Sequence, residues 1–259
     1  MPVTDRHFRD WPAPGEPKAV VALVHGLAEH SGRYGHVAAA LNAAGYTVVA
    51  VDVRGHGSSA GWPGEVSGLD DWVADEKALL ERAREAAGPD LPVFLLGHSL
   101  GALIAAAYVT RVGDQGLRGL VLSSIAVLVG EALLESMGDP DGQGIPSSAL
   151  SRDKAVQRAY DEDPLVFADR VPAESTAAAL EAAIEIYGGA DRITLPVLMF
   201  HGSSDGIADP EGAKDLFERI PSTDKRWRLY EGLRHETMNE PEQDEVLADL
   251  VAWLDEHTP

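Results

Sequence analysis

Strand-length runs of apolar, largely β-branched residues recur along this 259-residue chain at 20–24, 47–51, 93–96, 120–123 and 197–200. A mixed run follows at 226–230, and helical patterns fill the gaps at 34–44, 69–87, 100–112, 210–220 and 242–257. Strands that are apolar along their whole length need cover on both faces, and crossover helices supply it in a parallel sheet. The alternation therefore predicts an open α/β fold with a mostly parallel central sheet. It lapses over 124–192, which holds an apolar stretch, the Gly/Pro-rich passage GDPDGQGIP and helical patterns at 154–160 and 173–187. That interval reads as a helical lid or cap inserted over a core formed by 1–123 and 193–259.

One strand-to-helix junction is unusual. In FLLGHSLGAL, a buried strand stops at Gly97, and a buried helix begins directly after Ser99. The stretch fits G-x-S-x-G, a turn so sharp that the central serine is strained and its hydroxyl stands clear at the carboxyl end of the sheet. Side chains at Gly97 and Gly101 would collide with the neighbouring strand and helix. A helix N-terminus beside the hydroxyl favours developing negative charge. An incidental serine at a small-residue helix start is the plainer reading, but the strand before and helix after favour Ser99 as a nucleophile.

A serine hydroxyl needs a base, and an acid to orient that base. In sheets carrying this elbow the acid and then the histidine follow the serine along the chain. The stretch VLMFHGSSD places Asp205 just past a late strand, with Asp209 as the alternative and helix capping as its plainer role. After the last strand, EGLRHETMNEPE offers His235 as the base. His25, His30, His36, His56 and His98 come too early, and His257 near the C-terminus is expected to be a solvated surface residue. The oxyanion hole is expected from the backbone N–H groups of Leu100 and of Leu27, in the loop after the 20–24 strand.

Composition narrows the partners. With no cysteine, the chain can have neither disulfides nor a thiol nucleophile. A formal net charge of −21 repels nucleic acid and anionic lipid headgroups, and otherwise reads as solubility. The nine histidines lack paired metal-ligand spacing, so neither a metal nor a cofactor is expected. No run approaches the roughly 20 apolar residues of a membrane span, so stable membrane insertion is not expected. The opening MPVTDRHFRDW has no signal-type apolar core, which predicts a cytoplasmic location.

Taken together, HGLAEHSGRY from His25, VDVRGHGSSAG from Val51, LLGHSLGA, HGSSDGIADPEGA and YEGLRHETMNEPE resemble the monoacylglycerol lipase and lysophospholipase-like group of the α/β-hydrolases. LSRDKAVQRAYDEDPLV resembles that group's passage from lid to sheet. The resemblance implies an α/β-hydrolase fold and a serine esterase acting on a small lipid ester, with transient lipid contact through the lid. It places Glu29 and Arg33 near the glycerol end of the pocket and an acyl channel along Val127, Leu128, Val129, Leu133, Leu134 and Met137. Two departures stand out: Ala28 replaces a usual glycine, and 125–151 is shorter than in typical members. A short-chain carboxylesterase, lysophospholipase, thioesterase or cofactor-free perhydrolase would share the triad, and a non-catalytic binding protein is a further alternative.

Overall fold

A computed structural model describes residues 5–61, 68–131, 144–167 and 173–259. Among them, seven strands form one sheet in the order β1-β3-β2-β4-β5-β6-β7. These are β1 (Phe8–Trp11), β2 (Ala19–Val24), β3 (Tyr46–Val51), β4 (Val93–His98), β5 (Gly119–Ser123), β6 (Val197–Gly202) and β7 (Lys225–Tyr230). Every neighbouring pair is parallel except β1 with β3, where Phe8 lies opposite Val51 and Trp11 opposite Val48. The expected α/β-hydrolase architecture is present. The short edge strand β1 was missed because FRDW carries no apolar run.

The period of two along each strand divides the core. Val20, Ala22 and Val24 of β2 face one side, packed with α2 (Leu69–Ala87), α3 (Leu100–Val112) and α7 (Pro210–Arg219). Ala19, Val21 and Leu23 face the other, against α1 (Gly35–Ala43) and α8 (Gln243–His257), where Trp253 meets Phe94 edge-on at 6.0 Å. Each fully buried Val, Leu or Phe contributes about 1.5–3 kcal/mol, so both layers hold the sheet rigid beneath its carboxyl end.

One position on α2 breaks this pattern. Trp72, Glu76, Leu79, Leu80 and Ala83 are all buried, yet neither Glu76 oxygen has a hydrogen-bond partner among the described residues. Burial, with Asp75 beside it, pushes the Glu76 carboxyl up to about 8.

The 124–192 interval is not one unit. Its last helix, α6 (Ala173–Gly189), packs on α3 and puts Ala178, Ala182, Ala183 and Ile186 into the main core. Val127 is buried in that core too, while Leu128 and Val129 are exposed. Leu133, Leu134 and Met137 lie outside the described residues. The remaining piece, 144–167, carries α4 (Ser147–Leu150) and α5 (Lys154–Asp161). Ile145, Leu150 and Tyr160 make a separate small cluster there with Ile207, and Leu27 packs against it. Among the described residues this segment packs beside the expected oxyanion and acid loops, and 128–130 also pairs with the acid loop, where Val129 bridges Ala208. Alternating strand and helix patterns could not reveal the split, because α6 is as helical in sequence as a lid helix would be.

Candidate active site

The junction between β4 and α3 has the strain its sequence implies. Ser99 takes φ 54° and ψ −115°, a region that side chains rarely adopt. Its backbone N–H donates to the Ser123 carbonyl at 2.9 Å, which ties the turn to β5. A Cβ on Gly97 would lie 2.3 Å from the Gly101 carbonyl oxygen, and one on Gly101 2.3 Å from that of Val24. Both glycines are therefore required by contact, and the turn cannot relax without opening the sheet. Leu100 is the first residue of α3, so its N–H has no carbonyl partner within the helix.

The loop after β2 approaches this elbow closely. A Cβ on Gly26 would lie 3.3 Å from Ser99 Cβ. Leu27, the other expected oxyanion donor, follows directly, and Ala28 is held at φ 66°. A non-glycine residue there costs about 1–2 kcal/mol, so the departure at Ala28 is strain accepted by the loop. The Ala28 carbonyl accepts a 2.8 Å hydrogen bond from the Phe167 N–H, just beyond α5.

Asp205 and His235 meet although 30 residues separate them. The His235 Nδ1–H donates to Asp205 Oδ2 at 2.8 Å, and both residues are buried. Because a carboxylate only accepts, Nδ1 carries the hydrogen and Nε2 is left as the basic nitrogen. Asp205 Oδ1 accepts from the N–H groups of Ile207 at 2.8 Å and Ala208 at 3.0 Å. Burial pushes the Asp205 carboxyl up, but His235 and His201 beside it win, and the group is held well below the usual carboxylate range. Burial lowers the His235 imidazole, and Asp205, with Glu236 and Glu29, outweighs it, so its pKa lies above the ordinary 6.5. The two loops can approach because Gly202 ends β6: a Cβ there would lie 2.3 Å from the Leu233 carbonyl oxygen.

The His235 ring lies 4.9 Å, centroid to centroid, from that of His98, the residue before Ser99. Burial, with His235 nearby, pulls His98 down to about 4, so its ring is neutral beside the base. The carbonyl of His235 accepts from Ser124 Oγ at 2.7 Å, and the next N–H, Glu236, donates to the Leu150 carbonyl at 2.8 Å.

Glu29 and Arg33 are not surface charges. Arg33 donates to both Glu236 oxygens at 2.6 and 2.8 Å, and to Glu29 Oε2 at 2.7 Å. The other Glu29 oxygen accepts from the Gly26 N–H and from Tyr34 Oη, each at 2.6 Å. Burial raises the Glu29 carboxyl, but Arg33 and the neighbouring histidines bring it down to about 2. The pair forms a buried clamp from the loop carrying His235 to the loop carrying Leu27. Tyr160 packs its ring against Arg33 at 4.9 Å.

Two further histidine and aspartate expectations are resolved. Asp209 accepts from the Glu211 N–H at 2.9 Å and caps α7, the plainer of its two roles. His257 is buried rather than solvated, with Nδ1 2.7 Å from the Trp253 carbonyl oxygen and Nε2 3.0 Å from Asp224. Sequence reasoning passed over Glu236, Tyr34, Ser124 and His201. Only Glu236 carried a signal, its adjacency to His235, and an acidic loop residue ordinarily reads as solvated.

The family described as serine aminopeptidase S33 (Hydrolase_4) matches residues 15–242. The chain is 37% identical over 258 residues to a monoacylglycerol lipase of Mycolicibacterium smegmatis, covering 95% of this chain and 91% of the relative. It is 33% identical to a monoglyceride lipase of Homo sapiens, covering 96% of this chain and 86% of that one. The crystal structure of a Paleococcus ferrophilus monoacylglycerol lipase superposes with a TM-score of 0.85 at 32% identity, covering 98% of this chain and 100% of the other.

Proposed function

The chain belongs to the serine aminopeptidase S33 family of hydrolases, and from that premise we propose that it cleaves monoacylglycerols to fatty acid and glycerol through an acyl-enzyme on Ser99. The observation that carries this reading is the buried 2.8 Å Asp205–His235 pair, in ring contact through His98 with a strained serine elbow.

In the first half-reaction His235 Nε2 takes the Ser99 proton while Oγ bonds to the ester carbonyl carbon. The carbonyl oxygen gains the negative charge, and the N–H groups of Leu27 and Leu100 hold it. Two such donors lower the barrier by about 3 kcal/mol each. The C–O bond to glycerol then breaks, and His235 returns the proton to the leaving oxygen. Water repeats the sequence on the acyl-enzyme and restores Ser99. Asp205 keeps the hydrogen on Nδ1 throughout and stabilises the imidazolium between steps.

The substrate class rests on the relatives, whose names specify monoacylglycerol or monoglyceride, and on charge. A surface of net charge −21 disfavours an anionic headgroup over neutral glycerol. We assign acyl-chain entry to the 144–167 segment, where Ile145, Leu150 and Tyr160 pack beside Leu27 and Ile207. Glu29 and Arg33 act by joining the base loop to the oxyanion loop rather than by meeting glycerol from the surface. No described helix is long and apolar enough to cross a membrane.

The test is kcat/KM for monoacylglycerols from acetyl to palmitoyl, with triacylglycerol and an anionic lysophospholipid as controls. Efficiency should rise with chain length by up to about 0.8 kcal/mol per methylene and then level off. Triacylglycerol and the lysophospholipid should be poorer substrates. A preference for acetyl with steep loss beyond would instead mark a short-chain esterase.

A further inference from the structure

The acid has a second histidine. His201, on β6 four residues before Asp205, is fully buried, and its Nε2 lies 2.9 Å from Asp205 Oδ2 and 3.2 Å from the Ala208 carbonyl oxygen. Both neighbours are acceptors, so Nε2 carries a hydrogen; it is directed to the Ala208 carbonyl, with the Asp205 carboxylate in close polar contact beside it. The other ring nitrogen, Nδ1, is buried without a partner, and the ring stacks at 29° near Trp227 on β7. Leaving a buried polar atom unserved is costly, and an apolar residue at the same place would avoid that cost. The ring's presence is accounted for by what Nε2 does.

We propose that His201 is a positioning residue for the reaction: its N–H edge, anchored on the Ala208 carbonyl, backs the one Asp205 oxygen that faces His235 and tempers the charge that oxygen presents. The inference rests on the reading of Asp205 and His235 as acid and base. The carboxylate accepts from three donors, the N–H groups of Ile207 and Ala208 on Oδ1 and His235 on Oδ2, and His201 Nε2 lies 2.9 Å from Oδ2 as a further polar contact. Rotation of the carboxyl would break contacts at both oxygens. The same N–H ties the Asp205 side chain to the Ala208 carbonyl, closing the short turn that presents the acid. Every donor on a carboxylate stabilises its anionic form and draws off part of its basicity toward the remaining partners. Without His201, Oδ2 becomes the stronger partner of His235 and stabilises the imidazolium further. The charged and titratable groups acting on His235 are otherwise Asp205, Glu236, Glu29 and His98, and they do not change.

Three variants test this with a soluble p-nitrophenyl ester: His201→Leu, His201→Gln, whose amide N–H reaches about as far as Nε2, and His201→Asn, whose amide stops short. His201→Leu should move the acid limb of kcat/KM upward by roughly half a pH unit, since a donor to the anion is lost. Its plateau kcat should fall several-fold with KM unchanged. His201→Gln should return the limb to the wild-type position, and His201→Asn should behave as His201→Leu. If His201→Leu fails to fold, the Gln and Asn variants carry the comparison alone. A wild-type limb in the Leu or Asn variant, with only thermal stability reduced, would overturn the proposal. Asp205→Asn measured alongside separates the two levels: near-complete loss there keeps the acid assignment whatever His201 does, and full activity there removes its premise.

Discussion

The serine elbow and the Arg33 clamp sit at the same carboxyl end of the sheet, but they are built in opposite ways. Ser99 is held within five consecutive residues, 97–101, whose two glycines press on each other and on the end of β2 while its N–H is tied to β5. The clamp is assembled from residues 203 apart, Arg33 and Glu236, and holds by charge and hydrogen bonds at a buried place. A short-range device of strain keeps the nucleophile in place as long as the flanking strands β2 and β5 hold. A long-range device of charge keeps two loops in register only while both ends and their partners are present. The first fixes an atom, and the second fixes a distance between loops.

Breaking the local device at its reacting atom should have the largest effect. Ser99→Ala removes one oxygen and little packing, so ester hydrolysis should fall by roughly a thousandfold or more with the thermal midpoint nearly unchanged. Steady-state rates and a melting curve on the same preparation check both halves. Residual activity within tenfold of wild type would dissolve the contrast, because the elbow would then be scaffolding.

Breaking the clamp should move both stability and turnover. Arg33→Met leaves Glu29 and Glu236 buried without their cation, and removing one partner of a buried pair costs about 3–5 kcal/mol. Turnover of the folded fraction should fall by roughly tenfold to a hundredfold as the oxyanion loop loses its register. Denaturant unfolding and single-turnover rates separate the two. A variant that unfolds more easily but turns over normally would make the clamp purely structural.

A third variant asks whether every buried charge in this chain serves the site. Glu76 lies on the core face of α2 without partners, and its carboxyl is raised from 4.5 to about 8. An acid raised in the folded state costs stability as pH climbs from its unfolded value toward its folded one, because only the unfolded chain releases the proton. Glu76→Met should therefore stabilise the fold by about 1–3 kcal/mol at pH 8. The gain should shrink toward pH 4.5 and leave turnover unchanged. Equal stability of the two proteins at pH 8 would show that Glu76 is served by an interaction.

Much of this was legible in the sequence where the cause is local. The helices at 69–87 and 100–112 have the same bounds in the structure, because the apolar spacing runs their full length and Gly88 and Gly113 end them. Spacing and chain order pointed to the elbow and to Asp205 and His235, and the structure shows the strain at Ser99 and the 2.8 Å contact between the other two. The clamp was not, since nothing in HGLAEHSGRY says that Arg33 will meet Glu236. His257 was misplaced for the same reason: its partner Asp224 lies 33 residues away. Period and propensity report what a residue does within its own element, and pairings between loops emerge only when the sheet brings them together.

The smallest effect is expected at Asp209, the alternative acid. Asp209→Ala removes the α7 cap and should cost about 1 kcal/mol of stability with turnover within twofold of wild type. A loss of turnover rivalling that of Asp205→Asn would transfer the acid role to Asp209.

The central claim, a serine activated by a histidine whose proton affinity Asp205 raises, is tested most directly by fluorophosphonate labelling followed across pH. The adduct, located by mass spectrometry, should fall on the peptide containing Ser99 and be absent from Ser99→Ala. Its rate of formation should be half-maximal above pH 6.5 and fall as pH drops, because only neutral His235 accepts the serine proton. An adduct at another residue, or a labelling rate at Ser99 unchanged down to about pH 5, where a histidine base is protonated, would contradict it.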